Sequence, residues 1–300
     1  MAATTPPLAA DRPRFEPALM RRRLAGTLFY GACLVAIAIL LIALVMLLID
    51  VLTRGLPWLD GQFLTGVPSR RPERAGILPA LAGSLQIGLI VGAISFPVGV
   101  AAAIYLSEYA RDNRVNRLLQ TNIANLAGVP SIIYGILGLA LFVRLLGLGP
   151  TILAASLTLT LLILPVVIIA SIEAIRAVPN AQREGAYALG ATRWQMVSRS
   201  ILPAAAPGIM TGLILAMARA VGEAAPLLLI GGAVFVTFLP NPIEGQYTVL
   251  PIQVLQWALR PQADFQSISA AAIIVILALI FVLNALALIV RARLSRHIQW

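Results

Sequence analysis

An arginine and a glutamate one helical turn apart interrupt a long apolar segment, and they are the best candidates for chemistry in this sequence. Arg219 and Glu223 lie at positions i and i+4 of residues 207–234, so a helix places both on one face. An arginine in a bilayer core costs at least about 2.5 kcal/mol and therefore faces a bundle interior or water. Its planar fork of donors matches oxyanions such as phosphate. The pair therefore predicts either a substrate site or a buried ion pair that only fixes helix packing.

A second apolar segment carries two hydroxyl side chains. Ser131 and Tyr134, with Gly135 beside them, could line the same pathway and donate hydrogen bonds to a partly dehydrated anion. Small and hydroxyl residues also commonly pack membrane helices together. The sequence leaves both roles open.

The remaining chemistry is narrowly bounded by residue types. All 22 basic residues are arginines, the only histidine is His297 and the only cysteine is Cys33. The sequence therefore has no lysine for a phosphate-binding P-loop or a Schiff base, and too few cysteines and histidines to form a zinc site. We therefore expect no catalytic group, no metal site and no cofactor bound by this chain.

The elements that must hold these residues are membrane helices. The sequence is 60% hydrophobic and 11% charged, whereas soluble domains have about 45–50% apolar and about 25% charged residues. Six segments are long and apolar enough to span a bilayer: 24–52, 77–106, 123–146, 151–172, 207–234 and 268–290. The first exceeds a signal-peptide core of about 7–15 residues, so we expect a retained helix. The prediction is an all-α integral membrane protein with six transmembrane helices.

The arginines also predict the orientation, because cytoplasmic loops are enriched in them. Fifteen arginines lie in the N-terminal tail, the second loop, the fourth loop and the C-terminal tail, and six lie on the alternate side. We therefore expect both termini in the cytoplasm. The net charge of +10 then reflects membrane topology, and we expect no nucleic-acid partner.

The longest predicted cytoplasmic loop, residues 173–206, has signals for two short helices. Pro179 can open the first, Gly190 can end it, and Thr192 with Gln195 forms a capping box for the second. An apolar stripe in the second helix is expected to pack against the loop's own helix ends, and its members are Trp194, Val197 and Ile201. The loop is thus predicted to be a helix-turn-helix at the membrane surface.

This loop resembles the EAA loop of ABC importer permeases. The matching residues are Glu184, Gly185, Ala186, Gly190, Leu202 and Pro203. Gly185 stands where the family usually has alanine, and Ser200 where it usually has isoleucine. The resemblance implies a type I ABC importer permease fold in which these residues form a coupling helix-turn-helix that docks on a cytoplasmic ATPase.

Three further stretches resemble phosphate-importer permeases of the PstA type: residues 97–99 with 103–110, residues 127–135, and residues 218–228. The resemblance implies that the transported anion is inorganic phosphate, so the candidate residues of its pathway are those argued above from their chemistry: Arg219, Glu223, Ser131 and Tyr134. It implies a second, PstC-like permease, two PstB-like ATP-binding cassette ATPase subunits and a periplasmic or tethered PstS-like phosphate-binding protein. ATP would be used by the partner ATPase.

The expected organisation follows from both arguments. Residues 1–23 form a basic cytoplasmic tail, 24–76 an anchor helix with an external loop, 77–292 the permease domain and 293–300 a second cytoplasmic tail. Two alternatives remain open. One is a permease for another oxyanion, such as molybdate, sulfate or phosphonate. The other is a proton-coupled secondary transporter that uses Glu223 as the proton carrier.

Overall fold

The computed structural model describes residues 19–232 and 235–295, and every regular element in those residues is helical. The chain divides into two units, residues 1–50 and 51–300. The predicted tails at 1–23 and 293–300 lie largely outside the described residues. Helix α1 is Leu19–Gly55, and its residues up to 50 are the described part of the first unit, where the long apolar side chains are exposed. An exposed apolar surface of this length fits contact with lipid.

The second unit contains eleven further α-helices in the described ranges. They are α2 Gly61–Thr65, α3 Leu78–Ile104, α4 Arg114–Ala127, α5 Ser131–Gly138, α6 Ile152–Arg176, α7 Asn180–Ala188, α8 Arg193–Met196, α9 Leu202–Gly222, α10 Ala225–Ile230, α11 Leu250–Ala258 and α12 Ala263–Ser295. Three π-helical turns extend them, at Tyr105–Tyr109, Leu139–Leu145 and Val197–Ile201. The predicted domain boundaries remain predictions.

Five continuous helical stretches of the described chain are long and apolar enough to cross a membrane, and a bent pair of helices brings the number to six if it counts as one span. The continuous stretches are Arg22–Trp58, Leu78–Tyr109, Ile152–Arg176, Arg193–Gly222 and Ala263–Arg293. This confirms the prediction of an all-α, multi-spanning membrane protein.

The third predicted span, residues 123–146, is not one helix. Helix α4 ends at Ala127, and the stretch that begins at Ser131 runs at 101° to it. Pro130 lies at the break with φ −55° and ψ 136°. Proline has no amide hydrogen, and its ring clashes with the carbonyl four residues earlier, so it readily ends a helix.

The fifth predicted span, residues 207–234, differs at both ends. It begins earlier, because α8, a π-helical turn and α9 form one continuous helix from Arg193 to Gly222. It also ends earlier, because Glu223 is extended with ψ 127°. Pro226 would clash with the carbonyl of Gly222 if the helix continued. The chain then forms the short helix α10, and residues 233–234 lie outside the described residues.

Helix α6 is the centre of the second unit. Its neighbours on α3, α5 and α9 bury one apolar cluster with it, which includes Ile87, Val91, Tyr134, Leu159, Ile163, Ala216 and Ala220. Gly208 and Gly212 of α9 face Ala174 and Ala170 of α6, and a Cβ at Gly208 would lie 2.8 Å from the Cβ of Ala174. Small residues at this spacing let two membrane helices approach closely. They also fix the register between α9 and α6.

Candidate functional site

Arg219 and Glu223 form an ion pair at the end of α9. The Nε atom of Arg219 lies 3.3 Å from Oε1 of Glu223. The Arg219 side chain is 43% exposed and that of Glu223 18% exposed. Glu223 reaches its partner from the extended residue after the helix rather than from a helical turn. Within residues 19–232 and 235–295, no acceptor is bonded to the two Nη groups of Arg219, so the outer edge of its fork is open.

The register between α9 and α6 gives the depth of Arg219. Gly208 faces Ala174 and Gly212 faces Ala170, so the two helices are antiparallel and a step forward along α9 matches an equal step back along α6. Arg219 comes seven residues after Gly212 and is therefore level with Ile163, seven residues before Ala170. Helix α6 runs for 25 residues from Ile152 to Arg176, or about 37 Å. Arg219 therefore lies close to the middle of a membrane-spanning helix, where an arginine is most costly.

The two broken helices meet beside this pair. A Cβ at Gly135 of α5 would lie 2.7 Å from the Cα of Pro226 in α10 and 3.0 Å from its carbonyl oxygen. Only glycine leaves room for the backbone of α10 at this point. The contact joins the segment that follows the first break to the segment that follows the second. Arg219 is thus held next to two helix interruptions rather than within uniform helix packing.

Tyr134 lies directly before Gly135 in α5. Its hydroxyl donates a hydrogen bond of 2.8 Å to the carbonyl oxygen of Leu126, and the side chain is buried. Leu126 is in the last turn of α4, and its carbonyl oxygen also accepts the backbone amide of Val129 at 3.1 Å. This geometry favours the packing role for Tyr134, since its proton already serves α4. Ser131 is half-buried at the first residue of α5.

The predicted helix-turn-helix has the expected caps. Helix α7 follows Pro179 and ends before Gly190, whose φ of +79° is the left-handed conformation that glycine adopts without strain. Thr192 and Gln195 form the capping box, with bonds of 3.3 and 2.8 Å to each other's backbone amides. The second helix, however, is not a separate surface helix but the start of Arg193–Gly222. In a regular α-helix the ring of Pro203 would clash with the carbonyl of Arg199, four residues earlier. Arg199 lies in the π-helical turn just before Pro203, where the backbone departs from α-helical geometry, so the helix continues past the proline.

The predicted coupling residues divide into two groups. Glu184, Gly185 and Gly190 are exposed, whereas Ala186 and Leu202 are half-buried against the cluster that contains Val197 and Ile201. Pro203 is exposed on the continuous helix. Among the described residues, the Glu184 carboxylate has neither an ion-pair nor a hydrogen-bond partner.

The predicted apolar stripe holds only in part. Val197 and Ile201 are buried with Val178 and Met196, but Trp194 is exposed. Trp194 lies in the first turn after the Thr192 cap, beyond the helix ends that cover the other two residues. Together with Tyr187 and with Leu189, which is 90% exposed, it forms an exposed apolar tip around Gly190.

Comparison with known proteins accounts for a membrane-embedded ion pair and an exposed helix-turn-helix in one chain. A family model described as "Binding-protein-dependent transport system inner membrane component" matches residues 95–296. The chain belongs to this family. It therefore spans the inner membrane several times, and its relatives are transport permeases.

Relatives match this permease over most of its length. The phosphate transport system permease protein PstA 1 of Mycobacterium tuberculosis (strain CDC 1551 / Oshkosh) is 33% identical over 312 residues, covering 99% of this chain and 100% of that protein. The probable ABC transporter permease protein YqgI of Bacillus subtilis (strain 168) is 38% identical over 216 residues, covering 71% of this chain and 72% of that protein.

Solved structures show the same fold. The crystal structure of a bacterial ABC transporter involved in the import of the acidic polysaccharide alginate has a TM-score of 0.66 at 19% identity, covering 92% of this chain and 98% of that chain. The MetNI methionine ABC transporter in an inward-facing conformation has a TM-score of 0.57 at 18% identity, covering 71% and 93%. These likenesses confirm the predicted ABC importer permease fold.

Two charged residues of the permease were not singled out from the sequence. Glu108 lies in the π-helical turn after α3, and Arg183 lies in α7 immediately before Glu184. The structure joins them in an ion pair of 2.8 Å. An acidic residue at the end of an apolar span and an arginine next to the coupling motif were the available signals. The arginine could not be told from those that set topology.

Proposed function

We propose that this chain is a membrane permease subunit of an ATP-driven phosphate importer and forms half of the translocation pathway. The observation that carries the proposal is Arg219, an open guanidinium fork near mid-membrane in a permease of this family. Relatives named as phosphate permeases, aligned along nearly the whole chain, support phosphate as the substrate.

Arg219 is proposed to bind the anion as it passes the middle of the membrane. Its Nε atom is held by Glu223 while its Nη groups remain open among the described residues. Two parallel donors match two phosphate oxygens, and Glu223 offsets the cation when no anion is present. Ser131 is proposed as a further donor on the path. Tyr134 is proposed to shape the path by holding the end of α4.

The exposed loop is proposed to dock on an ATPase. Glu184, Gly185, Ala186 and Gly190, with Leu202 and Pro203 at the base, fit the family's coupling motif, and the apolar tip needs a partner to cover it. With the loop docked in this way, α7 and both termini are proposed to lie in the cytoplasm. The full assembly would contain a second permease, two ATPase subunits and a phosphate-binding protein. We propose that this chain holds no cofactor and catalyses no reaction itself.

Uptake of labelled phosphate by proteoliposomes tests the proposal, with the permease reconstituted together with these partners. Uptake should require internal ATP and external binding protein, and it should proceed without a proton gradient. An excess of molybdate, sulfate or phosphonate should leave it largely unchanged. Competition by one of these anions would reassign the substrate. Uptake driven by a proton gradient without ATP would contradict the ABC mechanism.

A further inference from the structure

Arg183 has an acceptor for every donor of its guanidinium group, which carries five N–H bonds. Its Nε and Nη2 atoms donate to Oε1 of Glu108 at 3.1 and 2.8 Å, and Nη2 also donates to the carbonyl of Ile175 at 3.0 Å. Its Nη1 atom donates to the carbonyl of Val178 at 2.8 Å and to Oδ1 of Asn180 at 3.2 Å. One side chain thus ties α7 to the ends of both α6 and α3.

This ion pair differs from the other pairs at the same end of the protein. The Arg183 side chain is 18% exposed and that of Glu108 is 7% exposed, whereas Arg117 and Asp112 form a pair that is almost wholly exposed. Exposed pairs contribute little because water screens them, but the loss of one partner from a buried pair leaves a charge uncompensated. Separation of Glu108 from Arg183 would therefore be costly, and we call this ion pair the joint between α7 and the end of α3.

A second contact strengthens the same joint. The guanidinium carbon of Arg193, the first residue of α8, lies 5.2 Å from the centre of the Tyr109 ring, within the range of a cation–π attraction. Tyr109 directly follows Glu108 in the π-helical turn. The helices on both sides of the Gly190 turn are therefore fastened to two consecutive residues at the end of α3.

Helix α3 connects this joint to the neighbourhood of Arg219. The stretch Leu78–Tyr109 is continuous, and Gly88 lies twenty residues, or about 30 Å, from Glu108. A Cβ at Gly88 would lie 3.5 Å from Cγ2 of Val221 on α9, two residues beyond Arg219. A displacement of α7 can therefore reach the Arg219 segment through α3 as well as along α9.

We propose that the Glu108–Arg183 pair, supported by Arg193 on Tyr109, makes α7 and α3 move as one body when the ATPase displaces the coupling loop. Glu108 and Arg183 are then positioning residues for transport. They do not contact the anion. The proposal rests on the proposed function for the presence of an ATPase, but not for the identity of the anion.

The test measures ions transported per ATP hydrolysed by the reconstituted complex, beside the amount of complex recovered. Arg183→Gln and Glu108→Gln break the joint, and the double variant removes both charges. Arg176→Gln is the matched control, since Arg176 is an exposed arginine at the same end. Among the described residues it bonds Gln120 at 3.0 Å and lies 3.9 Å from Glu173. The anion that wild-type complex transports is used, so a substrate other than phosphate leaves the test intact.

With the joint broken, ATPase subunits should still co-purify while ions per ATP fall by roughly 2- to 30-fold, the range for residues that carry coupling between sites. The ratio of ions per ATP should fall further in Arg183→Gln than in Glu108→Gln, because Glu108→Gln leaves the backbone acceptors of Arg183 in place. The double variant should be no worse than Arg183→Gln, because one joint is broken only once. If Arg183→Gln does not assemble, Glu108→Gln decides alone. A ratio equal to that of the Arg176→Gln control, or fully additive losses, would overturn the proposal.

Discussion

The Nε atom of Arg219 lies 3.3 Å from Oε1 of Glu223 at the point where helix α9 stops. Because Glu223 is extended, the pair spans a helix end rather than lying along a regular helix face. A helix end at this depth leaves backbone carbonyls without helical partners. In membranes such irregular backbone is tolerated where it is buried in protein or lines a water-filled cavity.

The hydroxyl of Tyr134 is expected to matter for stability and not for substrate affinity. Tyr134→Phe removes the 2.8 Å bond to Leu126, whose carbonyl oxygen keeps the amide of Val129 at 3.1 Å, and the loss of one such bond should cost about 0.5–1.5 kcal/mol. The melting temperature of the complex in detergent should fall, while the phosphate concentration for half-maximal uptake stays unchanged. A weaker apparent affinity at unchanged melting temperature would instead make Tyr134 a donor to the anion.

Gly135 is expected to tolerate no side chain. In Gly135→Ala the new methyl would press on the backbone of Pro226, and overpacking of this kind costs about 1–3 kcal/mol. Less folded protein should be recovered from membranes. Gly92→Ala is the control, because its Cβ meets only the flexible end of Met217 at 3.5 Å. Equal recovery of the two variants would show that α5 and α10 are not in tight contact.

In this chain the sequence predicts helix caps better than it predicts where a long helix is interrupted. The glycine stop at Gly190 and the capping box at Thr192 depend on neighbouring residues alone, and both are present. The prolines show the limit. Pro97 and Pro165 lie inside continuous helices, whereas Pro130 and Pro226 stand at breaks.

Local sequence does not separate these two outcomes, since all four prolines lie in apolar surroundings. The contact of Gly135 with Pro226 brings together the segments that follow the two breaks, and these residues are far apart in the chain. The Glu108–Arg183 pair likewise depends on how α3 and α7 pack. The sequence could indicate the types of these residues but not their partners.

Glu184 is expected to act in ATPase docking. Glu184→Lys reverses a charge on the exposed face of α7, and loss of a bonded interfacial charge costs about 2–5 kcal/mol. The ATPase subunits should no longer co-purify from solubilised membranes, although the permease remains inserted. Glu173→Lys makes the same charge change on an exposed residue at the end of α6 and should retain them. ATPase bound normally to the Glu184→Lys complex would contradict the docking role.

Arg219 is proposed to contact the transported anion and to do more than stabilise helix packing. Arg219→Gln removes the cation and leaves Glu223 without its partner. The double variant Arg219→Gln with Glu223→Gln removes both charges and retains similar shapes, so it should restore packing that the single change weakens.

The most direct test measures phosphate uptake per intact complex in wild type, Arg219→Gln and the double variant. Loss of a charged bond to the anion should reduce uptake about ten- to a hundredfold. The double variant should assemble as well as wild type but still transport at this reduced level. Recovery of both assembly and uptake in the double variant would contradict this expectation and would make Arg219–Glu223 a structural ion pair.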